Sequence, residues 1–154
     1  MVSLTGISSI EENLSPDAYQ KIKNSYFEIF DNVSIHAETP EPIYTCGQYF
    51  PQRKEFKFSL VDVGVGFYKK INERNPTITT DLAAIDWAIK GNSTKKEAKG
   101  GSGLKNIMTY CMKNNAHFHI ATGKCYWIFN GTSISNHSIP NPFKGTTIHL
   151  VFRY

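Results

Sequence analysis

The run EIFDNVSIH places Glu28, Asn32 and His36 four residues apart. On a helix that spacing stacks three side chains on one face. Asn32 offers a neutral oxygen for Mg²⁺, a hard cation that prefers oxygen ligands. Glu28, one turn away, can orient or deprotonate an attacking group. An ordinary solvated helix face has the same composition. Asp62 closes the apolar run KFSLVD and precedes Gly64 and Gly66. A carboxylate on the strand face of Phe58 and Leu60 is costly to bury without a partner. It reads either as an acceptor for the exocyclic amine of adenine, with the glycines letting the backbone pass close to the base, or as an Asx-type turn. Gly100, Gly101, Ser102 and Gly103 stand before Leu104, where a helical pattern begins. Free N–H groups at a helix start cradle phosphate, and the same glycines would also serve as a flexible lead-in. Lys95, Lys96 and Lys99 read as a solvated loop or as a lid over phosphates.

Periodicity gives the elements that must position these groups. Ser15, Pro16 and Asp17 supply a hydroxyl N-cap and a first-turn proline. Ile22, Tyr26, Ile29, Phe30 and Val33 then form an apolar stripe, so a helix is expected to about residue 37, stopped by Pro40 and Pro42. Residues 43–50 and 56–63 read as strands of an antiparallel hairpin turning at 51–55. Residues 81–90 and 104–113 read as helices, the second with Leu104, Ile107, Met108 and Cys111 inward, and 91–102 as a mobile loop. Strands are expected at 117–121 and 125–129, paired about 122–124, and at 146–152, after a long loop at 130–144. Residues 1–14 form a lead-in and 15–154 a single domain. The order implies α/β: a two-layer sandwich whose mixed, mainly antiparallel sheet carries helices on one face.

A chain of 154 residues can bury a real core. With 40% hydrophobic and 19% charged residues it has an ordinary globular composition. A net charge of +4 without a basic stripe argues against direct nucleic-acid binding. Cys46, Cys111 and Cys125 are odd in number and lack metal-ligand spacing, so they read as buried thiols in a reducing compartment. No apolar run suggests a signal peptide or a membrane span. A cytoplasmic protein without membrane association is expected.

The order E-x-x-x-N-x-x-x-H, D-x-G-x-G, G-x-G-L resembles the GHKL ATPase superfamily. Its members include the gyrase ATPase subunit, heat-shock chaperone ATPases, sensor histidine kinases, mismatch-repair ATPases and anti-sigma-factor serine kinases. The resemblance runs from about Ser15 to Arg153. It implies the Bergerat fold, with ATP and Mg²⁺ as cofactors. It casts Asn32 as the magnesium ligand, Glu28 as the general base or its equivalent and Asp62 as the adenine reader. Gly64 and Gly66 would wall the nucleotide, Gly101, Ser102, Gly103 and Leu104 would form the phosphate loop, and His36 would lie near phosphate. Gly145 and Thr146 resemble a late Gly-Thr whose hydroxyl frames adenine. Many relatives have another glycine where this chain has Lys99.

The same resemblance narrows the function. His36, His117, His119, His137 and His149 are followed by Ala, Phe, Ile, Ser and Leu. None has the acidic neighbour usual for a phosphoacceptor histidine, and no dimerisation hairpin or transducer domain accompanies the motifs. The expectation is a Mg²⁺-dependent ATP-binding regulatory domain with slow hydrolysis or phosphoryl transfer. It would serve a regulatory protein partner or other domains of a longer protein. The alternatives are a serine/threonine kinase acting on a partner, like the anti-sigma-factor kinases, and a nucleotide-controlled switch without turnover.

Overall fold

A computed structural model describes residues 15–92 and 102–153, except the side chains of Ala18, Asn32, Ser34, Ile35, His36 and Ser102. The elements are α1 (Pro16–His36), β1 (Tyr44–Phe50), a 3-10 turn (Pro51–Arg53), β2 (Glu55–Asp62), α2 (Gly66–Arg74), α3 (Asp81–Ile89), α4 (Ser102–Asn114), β3 (His117–Phe129) and β4 (Ile134–Arg153). The strands form one open sheet in the order β1-β2-β4-β3, and every pairing is antiparallel. The expected α/β class is therefore present, but the expected mixed sheet has no parallel pair among the described residues.

Period-two alternation sends Phe56, Phe58, Leu60 and Asp62 of β2 to the helix side, where all four are buried. Phe118 and Ile120 of β3 and Ile148, Leu150 and Phe152 of β4 join them. Helix α1 presents Ile22, Tyr26, Ile29 and Val33 to this layer, with the Tyr26 ring 5.3 Å from Phe58, edge to face. Helix α4 adds Leu104, Ile107, Met108 and Cys111, and Tyr110 meets Phe152 at 5.3 Å. Helix α3 starts where Thr80 caps it, its hydroxyl accepting from the Ala83 N–H at 3.1 Å. No helix among the described residues is long and apolar enough to cross a membrane.

Three sequence expectations are corrected. The pattern assigns no element to 67–80, yet α2 lies there. It is only nine residues long and buries just Ile71 fully, which leaves too little apolar periodicity to read. Residues 117–129 are one strand, not a hairpin about 122–124: Gly123, at φ +53°, makes a bulge while both halves pair with β4. The expected loop at 130–144 is mostly the first half of β4, and the turn shrinks to 130–133, where the Asn130 side-chain oxygen accepts from the Thr132 and Ser133 N–H groups. Pro140 and Pro142 are tolerated because the ladder jumps from Gly123↔Phe143 to Cys125↔Ser138 across them. The thiols also divide: Cys111 and Cys125 are buried but Cys46 is exposed. Burial pushes the Cys111 thiol up to about 12, so it is inert at neutral pH.

The other sheet face carries histidines. His119 and His149 lie directly opposite each other on β3 and β4, with ring centroids 5.5 Å apart. His117 stacks on His119 at 6.2 Å. Nδ1 of His119 shares a hydrogen bond with the Tyr126 hydroxyl at 2.9 Å, and Nδ1 of His149 with the Ser59 hydroxyl at 2.8 Å. Burial first, and then mutual repulsion with His149 and His117, lowers His119 to about 4. Burial, followed by nearby cationic groups, also lowers His117 and His149. Folded-state values below the unfolded value mean that the unfolded chain binds more protons under mild acid. The stability held by these rings is therefore present above about pH 6.5 and is lost as pH falls toward 4. Between pH 7 and pH 5, His119 alone is expected to remove about 1 kcal/mol, allowing for solvent screening. Urea unfolding of wild type and His119→Gln across that range measures it, and the variant should show the shallower slope.

Candidate functional site

Asp62 is the last residue of β2 and only 2% exposed. It lies directly opposite Thr146 of β4, also buried. Its Oδ1 accepts from the Gly64 N–H at 2.8 Å, and the Thr146 backbone N–H donates to the carboxylate as well. Among the described residues no cation pairs with it. Desolvation therefore raises its pKa, and the two backbone hydrogen bonds pull in the opposite direction without cancelling the rise. The Gly64 contact is an Asx-type turn, one of the two sequence readings of this aspartate. A carboxylate accepts at about four lone-pair sites, so two N–H donors leave capacity for a ligand donor.

The surrounding chain is fixed by close backbone approaches. The Val65 N–H donates to the carbonyl of Ala37, just past α1, at 2.9 Å. A Cβ on Gly64 would overlap that same carbonyl, so only glycine fits. Gly145 lies at φ +101°, and a Cβ there would overlap the carbonyl of Asp62. The buried Thr122 hydroxyl donates to the Gly145 carbonyl at 2.8 Å and accepts from the Phe67 N–H at 3.4 Å. Strands β3 and β4 and the start of α2 thus meet at one hydroxyl.

An open cleft of about 450 Å³ lies against this junction. Val63, Gly64, Val65, Gly66 and Gly145 make one wall, and Thr122, Gly123 and Phe143 another. Lys69 and Lys144 contribute cations, and Glu38 and Asp81 contribute carboxylates. Asp81 is already engaged, accepting from the Lys124 N–H at 3.0 Å, and Glu38 pairs with Lys70. The size suits a small ligand.

The expected site residues separate into groups. Asp62, Gly64, Gly66 and Thr146 come together where the end of β2 pairs with the middle of β4. Gly64 and Gly66 line the cleft, whereas Asp62 and Thr146 sit behind its wall. Glu28 lies partly exposed on α1 and does not line the cleft. Gly103 is in the first turn of α4, and Leu104 is a buried core residue, 8% exposed. Gly101, the side chains of Asn32, His36 and Ser102, and the lysines at 95, 96 and 99 lie outside the described residues. Sequence reasoning missed Thr122, Lys69 and Lys144. Thr122 fell in an expected turn, and the lysines became cleft residues only through α2 and the extended β4. No group of three or more histidine, cysteine or acidic side chains among the described residues is arranged to hold a metal.

No protein-family model and no curated protein matches the chain.

The backbone contacts make a direct prediction. Gly64→Ala and Gly145→Ala are each expected to cost about 3 kcal/mol or more, because the clash is with main chain that cannot rotate away. Gly47 provides the control, since its added Cβ would meet the edge of the Phe56 ring at 3.2 Å and the Lys57 carbonyl only at an ordinary 3.6 Å. Gly47→Ala should cost less than either. Chemical denaturation of the three variants checks the ranking.

Proposed function

We propose that the chain is a GHKL-type ATP-binding domain of the Bergerat fold, acting as a Mg²⁺-dependent regulatory module. One observation carries this reading. Asp62 is buried, desolvated and unpaired with any cation among the described residues, yet it is positioned by two backbone N–H groups. Such a carboxylate suits a donor like the exocyclic amine of adenine, and a ligand amine would relieve the cost of its burial. Thr146, directly opposite, supplies a second polar group at the same depth. The glycine wall formed by Gly64, Gly66 and Gly145 lets a flat ligand approach the backbone. In this reading Gly101, Ser102 and Gly103, ahead of Leu104, would bring main-chain N–H groups to the phosphates.

The metal fits the same reading in a limited way. Mg²⁺ retains waters and takes substrate phosphate oxygens, needing only one or two protein ligands. The amide oxygen of Asn32 would be that ligand, and His36 would lie on the phosphate side of the same helix. The metal would neutralise phosphate charge. Glu28, one turn before Asn32 on α1, would polarise the nucleophile, whether water or a partner's hydroxyl. Turnover is slow in this proposal, because phosphoryl transfer depends on positioning and charge neutralisation and Glu28 is the single acid–base group assigned to it.

Thermal unfolding with and without MgATP tests binding. At about 100 times the dissociation constant, ATP should stabilise wild type by about 2.7 kcal/mol. Asp62→Asn should lose most of that gain while still folding. A variant stabilised as much as wild type would remove Asp62 from recognition. Phosphate release tests the chemistry: Glu28→Ala should lower it about 100-fold or more with ATP binding retained. ATP binding without release in wild type would leave a nucleotide-controlled switch. Label from ATP appearing on one protein of a native lysate would point to the kinase form.

A further inference from the structure

His119 and His149 face each other across β3 and β4 on the sheet face that carries no helix. Both are half-buried, and each ring is held by a hydroxyl at Nδ1. Strand β4 lies between β2 and β3, so Ser59 and His119 flank His149 on opposite sides. The Ser59 hydroxyl, 2.8 Å from Nδ1 of His149, draws that nitrogen toward β2. The opposite edge of the ring, which ends in Nε2, is thereby turned toward His119. The Tyr126 hydroxyl holds Nδ1 of His119 at 2.9 Å, and the Tyr126 ring contacts the rings of His119 and His137. A hydroxyl can accept a hydrogen bond, so each Nδ1 can carry the ring proton and donate it, which leaves the lone pair on Nε2. A hydrogen bond of this kind at the second nitrogen is what orients histidines that bind metals.

The ring separation suits a shared ion. A zinc ion about 2.0–2.1 Å from a ring nitrogen lies roughly 3.2 Å from that ring's centroid, so two rings sharing it at a tetrahedral angle have centroids about 5.2 Å apart. The centroids of His119 and His149 are 5.5 Å apart, with their planes inclined at 57°. His117 does not complete the set. It stacks on His119 at 6.2 Å with the planes only 15° apart. Imidazole lone pairs lie in the ring plane, so stacked rings do not converge on one ion. Among the described residues no other histidine, cysteine or carboxylate supplies a third ligand. The nearby cations are tempered, since Lys57 and Arg153 both pair with Glu55, at 3.3 and 3.2 Å.

The geometry points to a two-histidine site for Zn²⁺ on the open sheet face, with Nε2 of His119 and of His149 as the protein ligands and water in the remaining positions. The ion would clip β3 to β4 at the middle of that face. Binding is weak and reversible, because structural zinc sites use four protein ligands. Cu²⁺ binds the same nitrogens more tightly than Zn²⁺, whereas Mg²⁺ prefers oxygen and does not compete. The site is independent of ATP binding.

Calorimetric titration of the full chain with zinc chloride tests it, at about pH 7.5, above the ordinary histidine pKa. The Cys46→Ser background removes the exposed thiol as a rival ligand. One ion should bind per chain. Ser59→Ala and Tyr126→Phe should each weaken binding about tenfold, because Nδ1 loses its acceptor. His119→Gln and His149→Gln should each weaken it further still, while His117→Gln and His137→Gln should keep the original affinity. Imidazole ¹⁵N resonances of the unsubstituted chain give a readout that needs no variant. Zinc should shift Nε2 of two histidines and leave their Nδ1 protonated. Absence of binding at roughly 1 mM zinc would overturn the proposal. Binding that is unchanged in both His119→Gln and His149→Gln would overturn it too.

Discussion

The hydrogen bond from Val65 to the carbonyl of Ala37 joins two parts of the chain that the rest of the fold depends on. It ties the end of α1 to the end of β2, and it is possible only because Gly64 lets the two backbones touch. Once that contact is made, the direction of β2 fixes Asp62, and the antiparallel ladder fixes Thr146 opposite it. Gly145 must then adopt a positive φ and lie against the Asp62 carbonyl. Thr122 closes the arrangement by bonding Gly145 and the start of α2. Four segments distant in sequence thus converge, three of them through main-chain contacts and the fourth through the Thr122 hydroxyl. Such contacts tolerate less change than side-chain packing, because the backbone has few ways to relax.

The sheet spends its two faces differently. The helix side takes nearly all the large apolar side chains, with Phe56, Phe58, Phe118, Trp127 and Phe152 essentially solvent-free. The other side is polar but not strongly charged. Burial beside one another and beside cationic groups holds the imidazoles of His117, His119 and His149 below the usual histidine range. Lys57 lies over the Phe50 ring at 5.0 Å and pairs with Glu55 at 3.3 Å, and Arg153 pairs with Glu55 at 3.2 Å. A face of this kind is content in water yet sensitive to mild acid. The two faces therefore respond to pH in opposite senses, since desolvation raises Asp62 on the helix side while it lowers the histidines outside.

Legibility in the sequence followed the length and regularity of each pattern. The α1 stripe and the alternation through β2 were readable because many apolar residues repeat at a fixed period. Helix α2 was not, because nine residues with one fully buried side chain give no period to detect. The tail was misread for a subtler reason. Gly123 and the polar, proline-containing stretch at 130–144 carry turn chemistry, but a bulge and a broken ladder use the same residues as a turn and a loop. The candidate site was legible where glycine and aspartate occur together, at residues 62–66. Thr122, Lys69 and Lys144 were not, because only the tertiary register of β3 with β4 and the placement of α2 bring them near those glycines.

That same register separates what the fold needs from what it does not explain. Gly64 and Gly145 are required by the backbone contacts whether or not a ligand binds, so their presence argues little for function. Asp62 differs. A turn at the end of β2 needs one acceptor oxygen for the Gly64 N–H, and asparagine or serine would supply it without a charge. The chain instead places a carboxylate at a buried position where desolvation works against its ionised form. Its two backbone donors offset only part of that cost, and among the described residues no cation offsets the rest. A charge in excess of what the local structure requires is characteristic of a group meant to meet something else. In the proposed ATP-binding reading, a ligand amine approaching past the glycine wall would supply the missing donor.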